Sequence, residues 1–540
     1  MPEHDYVIVG AGSAGCVMAA RLAEGGHRVL LLEAGGSDRR LRVQVPIGYG
    51  LAFHDPRLNW RFHTEPEPSL NGRAGYWPRG KVLGGSSAIN AMVWVRGLAS
   101  DYDRWRDAGN PGWGFADVLP AFKRLERFAT APDPLRGHDG PVAVSDVSQR
   151  VHPLCAHWLG AARDLGLPVN AGFNGASAEG LGLYEINVGG GVRQSAARAY
   201  LRPALRSGRL QVATDALALR VDIEGRRAVA VHYRRGGLLQ RAMAAREVIV
   251  CAGAVQSPLL LQASGVGPGD WLQALGVPLR LHSPAVGRHL QDHLCVDHLY
   301  RSRVPTLNDV LRPWSGRVRV ALQYLLTRRG PLAMSVNQGG GFVRSGPDVD
   351  EPDLQLYFSP LSYTRAQPGR RALMSPDPFP GFLLSAQVCR PTSRGQVRLR
   401  HPEGVDAPLI EPHSLATAHD IERLVRGVRW LHRLAATPSL ARVIDRPLQS
   451  GSVDDDDGVV EAQVRQLAGT VFHACGTCRM GPDPASAVVD ARLRVYGLQG
   501  LRVVDASVFP SIPSGNTNAP TMMVAEHAAA MVLADARADG

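Results

Sequence analysis

The chain has 540 residues, too many for one ordinary hydrophobic core, so two or more domains are expected. Hydrophobic residues make up 45% and charged residues 20%, a globular composition that excludes a disordered chain. The net charge is +11, yet only Lys81 and Lys123 are lysines, and the arginines are spread along the chain without a dense basic block or interleaved aromatics, which argues against nucleic-acid binding.

The first element is the most informative. Asp5 to Glu33 reads DYVIVGAGSAGCVMAARLAEGGHRVLLLE. Tyr6–Val9 predicts a strand, the residues through Val17, Ala20 and Leu22 a helix, and Val29–Leu32 a second strand. Between them Gly10, Gly12 and Gly15 form GxGxxG. The first glycine permits a tight turn, the second lets backbone approach a pyrophosphate, and the third lets helix and strand pack closely. Ser13 and Ala14 open a helix whose N-terminus faces the phosphates with unpaired N–H groups. Glu33 follows Gly15 by 18 residues, the position of an acid that binds ribose hydroxyls, and Ala34 comes next. A dinucleotide-binding unit is expected.

Residues 34–77 form a long excursion rich in Gly, Pro, Asn and Arg, a functional loop by length. PRGKVLGGSSAIN follows, where Gly84, Gly85 and Ser86 offer N–H groups and a hydroxyl to a phosphate or a cofactor edge. Helices are predicted around Asp117–Phe128 and Leu154–Leu165. Strands alternate from Leu210 to Cys251 and run into a helix at Pro258–Ala263. From about 299 to 467 the strand-like pieces DLQLYFSP, FLLSAQVCR and GQVRLR, with a helix at His419–Ala436, predict a second domain on an antiparallel sheet. The acidic run Asp454–Asp457 reads as a helix start favoured by the dipole, and no metal site is expected. The chain closes with a strand in Leu501–Ser507 and a helix over Thr521–Ala534.

Seven sparsely spaced cysteines predict reduced thiols. The CxxC of Cys475 and Cys478 lacks the partner pair of a zinc site and the strand-to-helix setting of a redox pair. No secretory signal is read before the first strand, and no apolar run is long enough to span a bilayer. The expected location is the cytoplasm, or the inner face of the membrane as a peripheral protein.

Four blocks in order carry a family resemblance: the amino-terminal fingerprint through Glu33-Ala34-Gly35; Gly80–Ser87 running to Asn90 and on to Arg96-Gly97 and Asp101–Trp105; Gly253–Pro258 running to Ser264–Gly267; and the pair FHACGTCRMG at Phe472–Gly481 and SGNTNAPT at Ser514–Thr521. Over nearly its whole length the chain resembles the glucose-methanol-choline (GMC) family of flavin oxidoreductases. The resemblance implies an α/β fold, with a Rossmann-type FAD-binding domain and a substrate domain on an antiparallel sheet. Residues 1–298 would form the FAD region, 299–467 the substrate domain, and 468–540 the return to the FAD domain.

It also implies roles. His473 matches the family's catalytic histidine, and imidazole suits the task of taking a hydroxyl proton near neutral pH. Asn516 matches a second active-site position, where an amide steadies a developing alkoxide. Asp505 and Ala506 would hold FAD near the pyrophosphate and ribityl chain, Asn518 and Thr521 the isoalloxazine edge, and the loop Gly84–Asn90 would lie along the flavin. Some members attach FAD through a histidine just before the asparagine; here that residue is Ile89, so non-covalent FAD is expected. Choline-active members carry a glutamate where this chain has Cys295, and a neutral thiol cannot balance a buried quaternary cation. The expected substrate is an uncharged primary alcohol, such as a polyol or sugar alcohol, with Asn337 and Gln338 on the substrate side. The expected electron acceptor is a quinone or similar molecule. The alternatives are a peroxide-forming oxidase, and a lyase or photodecarboxylase on the same fold.

Overall fold

The computed structural model describes residues 4–129, 133–363, 376–452 and 454–538. β1 (His4–Val9) is apolar and buried from Tyr6 onward and β2 (Val29–Leu32) throughout, as befits central strands of a parallel sheet covered on both faces. They pair in parallel with α1 (Ser13–Glu24) between them. Leu210–Ala213 adds outside β2, the end of Leu238–Val250 adds beside β1, and Leu501–Val503 adds beside that, all parallel. The earlier half of Leu238–Val250 instead turns into an antiparallel meander with Arg227–Arg235 and Ala216–Glu224. The last helix, Asn518–Ala538, packs against α1, so the carboxy terminus returns to the first sheet.

The helix predicted from Pro258 begins earlier, at Gly253. Pro258 cannot donate to the Ala254 carbonyl, but the Thr477 hydroxyl does so instead, at 2.6 Å. The helix expected over Asp117–Phe128 runs Phe115–Leu125, and Glu126–Phe128 is a short strand beside Val142–Val144. The acidic run opens a helix as expected: Asp456 accepts from the Val459 N–H at the start of Asp457–Leu467. Trp314–Thr327 is a helix that the sequence reading did not single out.

The second sheet is antiparallel and begins at Leu294, a few residues before the expected boundary. Its order is Gly339–Val343, Leu354–Ser359, Gly381–Val388, Leu294–Ser302 and Ile444–Pro447. Strand alternation gives it two characters. Leu354, Leu384 and Ala386 belong to the apolar cluster formed with Leu424, Val428 and Leu431 of the helix Ala418–Ala435. On the other face Asp297, Ser385 and Tyr357 stand in register across three strands and look into a large cavity.

Candidate active site

The cavity, about 1300 Å³, runs from the turn after β1 to that polar row of the second sheet. Its first end is built by close backbone approach. A Cβ on Gly15 would lie 1.8 Å from the Gly10 carbonyl oxygen, and one on Gly85 would lie 2.6 Å from the Gly12 Cα, so the two glycine-rich segments interlock. A Cβ on Gly12, by contrast, would meet nothing within 4 Å: it would project into open cavity, where a ligand would lie against backbone. Gly10, Gly12, Ser13, Ala14, Glu33, Ala34, Gly85, Ser86, Asn90, Asp505, Ala506, Asn518 and Thr521 all line the cavity; Gly15 and Gly84 do not, and their part is to shape the turns.

Several of these side chains are already engaged. Glu33 accepts from the Ala11 and Gly35 N–H groups at 2.9 and 2.8 Å, and burial pushes its pKa up to about 7. Asp505 accepts from the Gly253 N–H and the Ser257 hydroxyl, fixing the start of that helix. Asn518 accepts from the Ser13 hydroxyl at 2.8 Å, while its buried Nδ2 has no hydrogen-bond partner. An unanswered amide donor on a wall with an open glycine face fits a nucleotide cofactor.

His473 lies farther along the same cavity and is 8% exposed. Three contacts define its state. His293 Nε2 is 2.9 Å from the Cys389 carbonyl oxygen, which only accepts, so that nitrogen carries the proton. Burial lowers the His293 pKa to about 4, so the ring is neutral and its Nδ1 is a bare acceptor. His473 Nδ1 is 3.0 Å from that atom and must be the donor, which leaves His473 Nε2 unprotonated. The Asn516 amide donates to this Nε2 at 3.2 Å, and Gln355 in turn donates to Asn516 Oδ1 at 3.4 Å. Burial, with lesser contributions from His293 and Arg79, holds the His473 pKa well below its usual value. The His473 backbone N–H donates to Asp292 at 2.7 Å, and the Thr470 hydroxyl donates to the same carboxylate.

Two family models match this chain, a GMC oxidoreductase amino-terminal model over residues 4–295 and a carboxy-terminal one over residues 391–525. The chain belongs to the GMC oxidoreductase family. It is similar to mitochondrial choline dehydrogenase of Mus musculus, at 42% identity over 98% of this chain and 89% of the relative. It is likewise similar to an alcohol dehydrogenase (acceptor) of Pseudomonas putida, at 40% identity over 98% of this chain and 96% of the relative. Among solved structures, pyridoxine 4-oxidase from Mesorbium loti matches with a TM-score of 0.87 and 31% identity, over 98% of this chain and 99% of that one. Formate oxidase from Aspergillus oryzae, at 24% identity and a TM-score of 0.92 over the full length of both chains, shares the fold. This GMC protein is thus a FAD-binding flavoprotein and an oxidoreductase, and among the described residues no helix is long and apolar enough to cross a membrane.

The substrate side of this GMC site corrects part of the sequence reading. Cys295 and Asn337 line the cavity. Gln338 does not: its Oε1 faces away, accepting from the His152 N–H at 2.6 Å beside Cys155, whereas the Asn337 side chain accepts from the Ser359 hydroxyl at 2.8 Å. Asp297, two residues beyond Cys295, puts a carboxylate on the wall, with the Ser385 hydroxyl donating to it at 2.8 Å. Phe472, Phe53 and Tyr49 add an aromatic wall; Phe53 and Phe472 have ring centroids 5.5 Å apart.

Residue-type reasoning also missed His293 and Arg79. Arg79 is half-buried beside the cavity, donates to the Phe472 carbonyl at 2.9 Å, and has a buried Nη2 without a hydrogen-bond partner. Arg79 lies inside PRGKVLGGSSAIN, and His293 lies two residues before Cys295.

Proposed function

We propose that this protein oxidises a primary alcohol to an aldehyde, with His473 as the base and Asn516 as the group that steadies the oxygen. The single observation that carries this reading is the bare Nε2 of a buried, neutral His473, held 3.2 Å from the Asn516 amide. An alcohol oxygen fits in front of both atoms, donating its proton to Nε2 and accepting from the amide nitrogen. Asn516 favours the alkoxide that forms without competing for the proton. Gln355 holds the Asn516 amide in the donating orientation. FAD, when bound, supplies the hydride acceptor, and electrons pass on to a quinone-like acceptor.

Glu33, Gly12, Asn518 and Asp505 would hold the cofactor. Ile89, buried on the cavity wall, offers no nucleophile, which supports non-covalent FAD. Tyr49, Phe53, Val336 and Phe472 favour an alcohol with an apolar or aromatic body over a polyol or sugar alcohol. The Asp297 carboxylate favours a second reading, an alcohol that also carries a cationic group, and the names of the choline dehydrogenase relatives lean the same way. The test is to replace His473 by Ala: FAD should remain bound and turnover with every alcohol should vanish. Retained turnover would exclude His473 as the base.

A further inference from the structure

The helix Trp314–Thr327 has 14 residues, about 20 Å of length, and its faces are reversed relative to an ordinary surface helix. Val320 and Tyr324 are buried against the protein. The opposite side, which faces solvent, carries Trp314, Val318, Leu322, Leu325 and Leu326, with relative exposures of 78, 47, 54, 62 and 83%. At about 100° per residue these five fall in one stripe about 120° wide. Arg317 and Arg319 border the stripe, and Arg312, Arg328 and Arg329 stand at its ends, all exposed. From Asp309 to Asp348 the sequence holds no acidic residue. Among the described residues none of these five arginines is ion-paired; Arg317 donates to the Leu311 carbonyl and Arg328 stacks on Tyr324.

An apolar stripe bordered by cations, with a tryptophan at one end, matches the chemistry of an anionic lipid surface, where apolar side chains enter the acyl boundary and guanidinium groups meet headgroup phosphates. A second copy of the chain fits less well. A two-fold contact would set the same five arginines against one another with no carboxylate between them. The helix also leads directly to the cavity. Pro331–Ala333 follows it, and Val336 and Asn337 after that are cavity wall.

We propose that Trp314–Thr327 is an interfacial helix that lays this protein on an anionic bilayer without crossing it. The inference does not depend on the reaction, since its test reads sedimentation. The holoprotein would be spun with vesicles of phosphatidylcholine alone and of phosphatidylcholine mixed with phosphatidylglycerol, at low and high salt. Two variants would be compared: Leu322→Gln/Leu325→Gln/Leu326→Gln, and Arg317→Gln/Arg319→Gln/Arg329→Gln. The expected result is binding to the mixed vesicles only, released by salt and weakened about tenfold or more in each variant, with flavin absorbance and thermal midpoint unchanged. Absence of wild-type binding, or wild-type affinity in both variants, would overturn the proposal. So would a wild-type dimer that the leucine variant dissociates while neither protein binds vesicles, because the occupant of the face would then be a second copy.

Discussion

The Nδ1 atoms of His293 and His473 stand 3.0 Å apart, and the proton between them belongs to His473 because His293 spends its own on the Cys389 carbonyl. His293 is fully buried and lies behind the cavity, so it is a positioning residue: it acts on substrate only through the tautomer it imposes on His473. Replacing His293 by Leu should leave FAD bound and lower kcat by roughly 10–100-fold, because the His473 proton is then free to sit on Nε2. Gln at this position, whose carbonyl oxygen can accept the same proton, should recover much of the loss. Equal damage from Leu and Gln would show that the role is steric.

The carboxamide of Asn516 should contribute to kcat more than to KM. Asn516→Ala should reduce kcat by about 10²–10³-fold, the range for losing one donor to a developing oxyanion. Asn516→Asp should be worse, since a carboxylate repels an alkoxide. Steady-state kinetics on both variants would check this, and a change confined to KM would argue for a role in binding alone.

The pH profile follows from burial. Because the His473 pKa is held well below its usual value, the neutral base should persist through the neutral range. The profile of kcat/KM should be level from about pH 8 to about pH 6.5 and fall only on the acid side. An acid limb already developed above neutrality would contradict the assignment.

Much of this was legible in the chain. The glycine fingerprint, the strand–helix–strand unit around it and the motif around His473 are local patterns, and local patterns survive in sequence. The roles of His293, Arg79 and Asp297 were not readable, because each depends on a partner contributed by a distant segment: Cys389 for His293, Phe472 for Arg79, Ser385 for Asp297. Gln338 shows the same limit from the other side. Neighbouring residues in a sequence read alike, but the fold places Asn337 on the cavity wall and sends the Gln338 side chain to the His152 N–H. The helix Trp314–Thr327 was not singled out, and its apolar stripe lies on the exposed side of the helix.

Glu33 offers a stability test with a defined sign. Burial raises its pKa to about 7, above the ordinary carboxyl value, so the folded apoprotein binds a proton that the unfolded chain has released. That contribution is complete below the unfolded value and is lost as pH rises through about 7. Glu33→Gln cannot ionise and should lack this component. The difference in thermal midpoint between variant and wild-type apoproteins should therefore grow in favour of the variant from pH 5 to pH 8. Parallel curves would mean that Glu33 titrates as an ordinary surface acid.

The interlock of the two glycine segments should be intolerant of a single methyl group. In Gly85→Ala the new Cβ would meet the Gly12 Cα at 2.6 Å, and the backbone there has a positive φ of 52°. A loss of about 1–3 kcal/mol, with weakened FAD retention, is expected from thermal melts and flavin absorbance of the purified protein. Gly12→Ala, which meets nothing in the protein, should weaken FAD retention without a comparable loss of apoprotein stability.

The central claim is alcohol oxidation by the His473–Asn516 pair, and the most direct measurement is anaerobic. The yellow protein would be mixed with aromatic, aliphatic, polyol, sugar and choline alcohols, and the flavin absorbance followed with no acceptor added. Rapid bleaching by one alcohol class, abolished in His473→Ala with FAD still bound, is the predicted result. Tightly bound FAD that no alcohol bleaches would contradict the account and favour a lyase or photodecarboxylase on this fold.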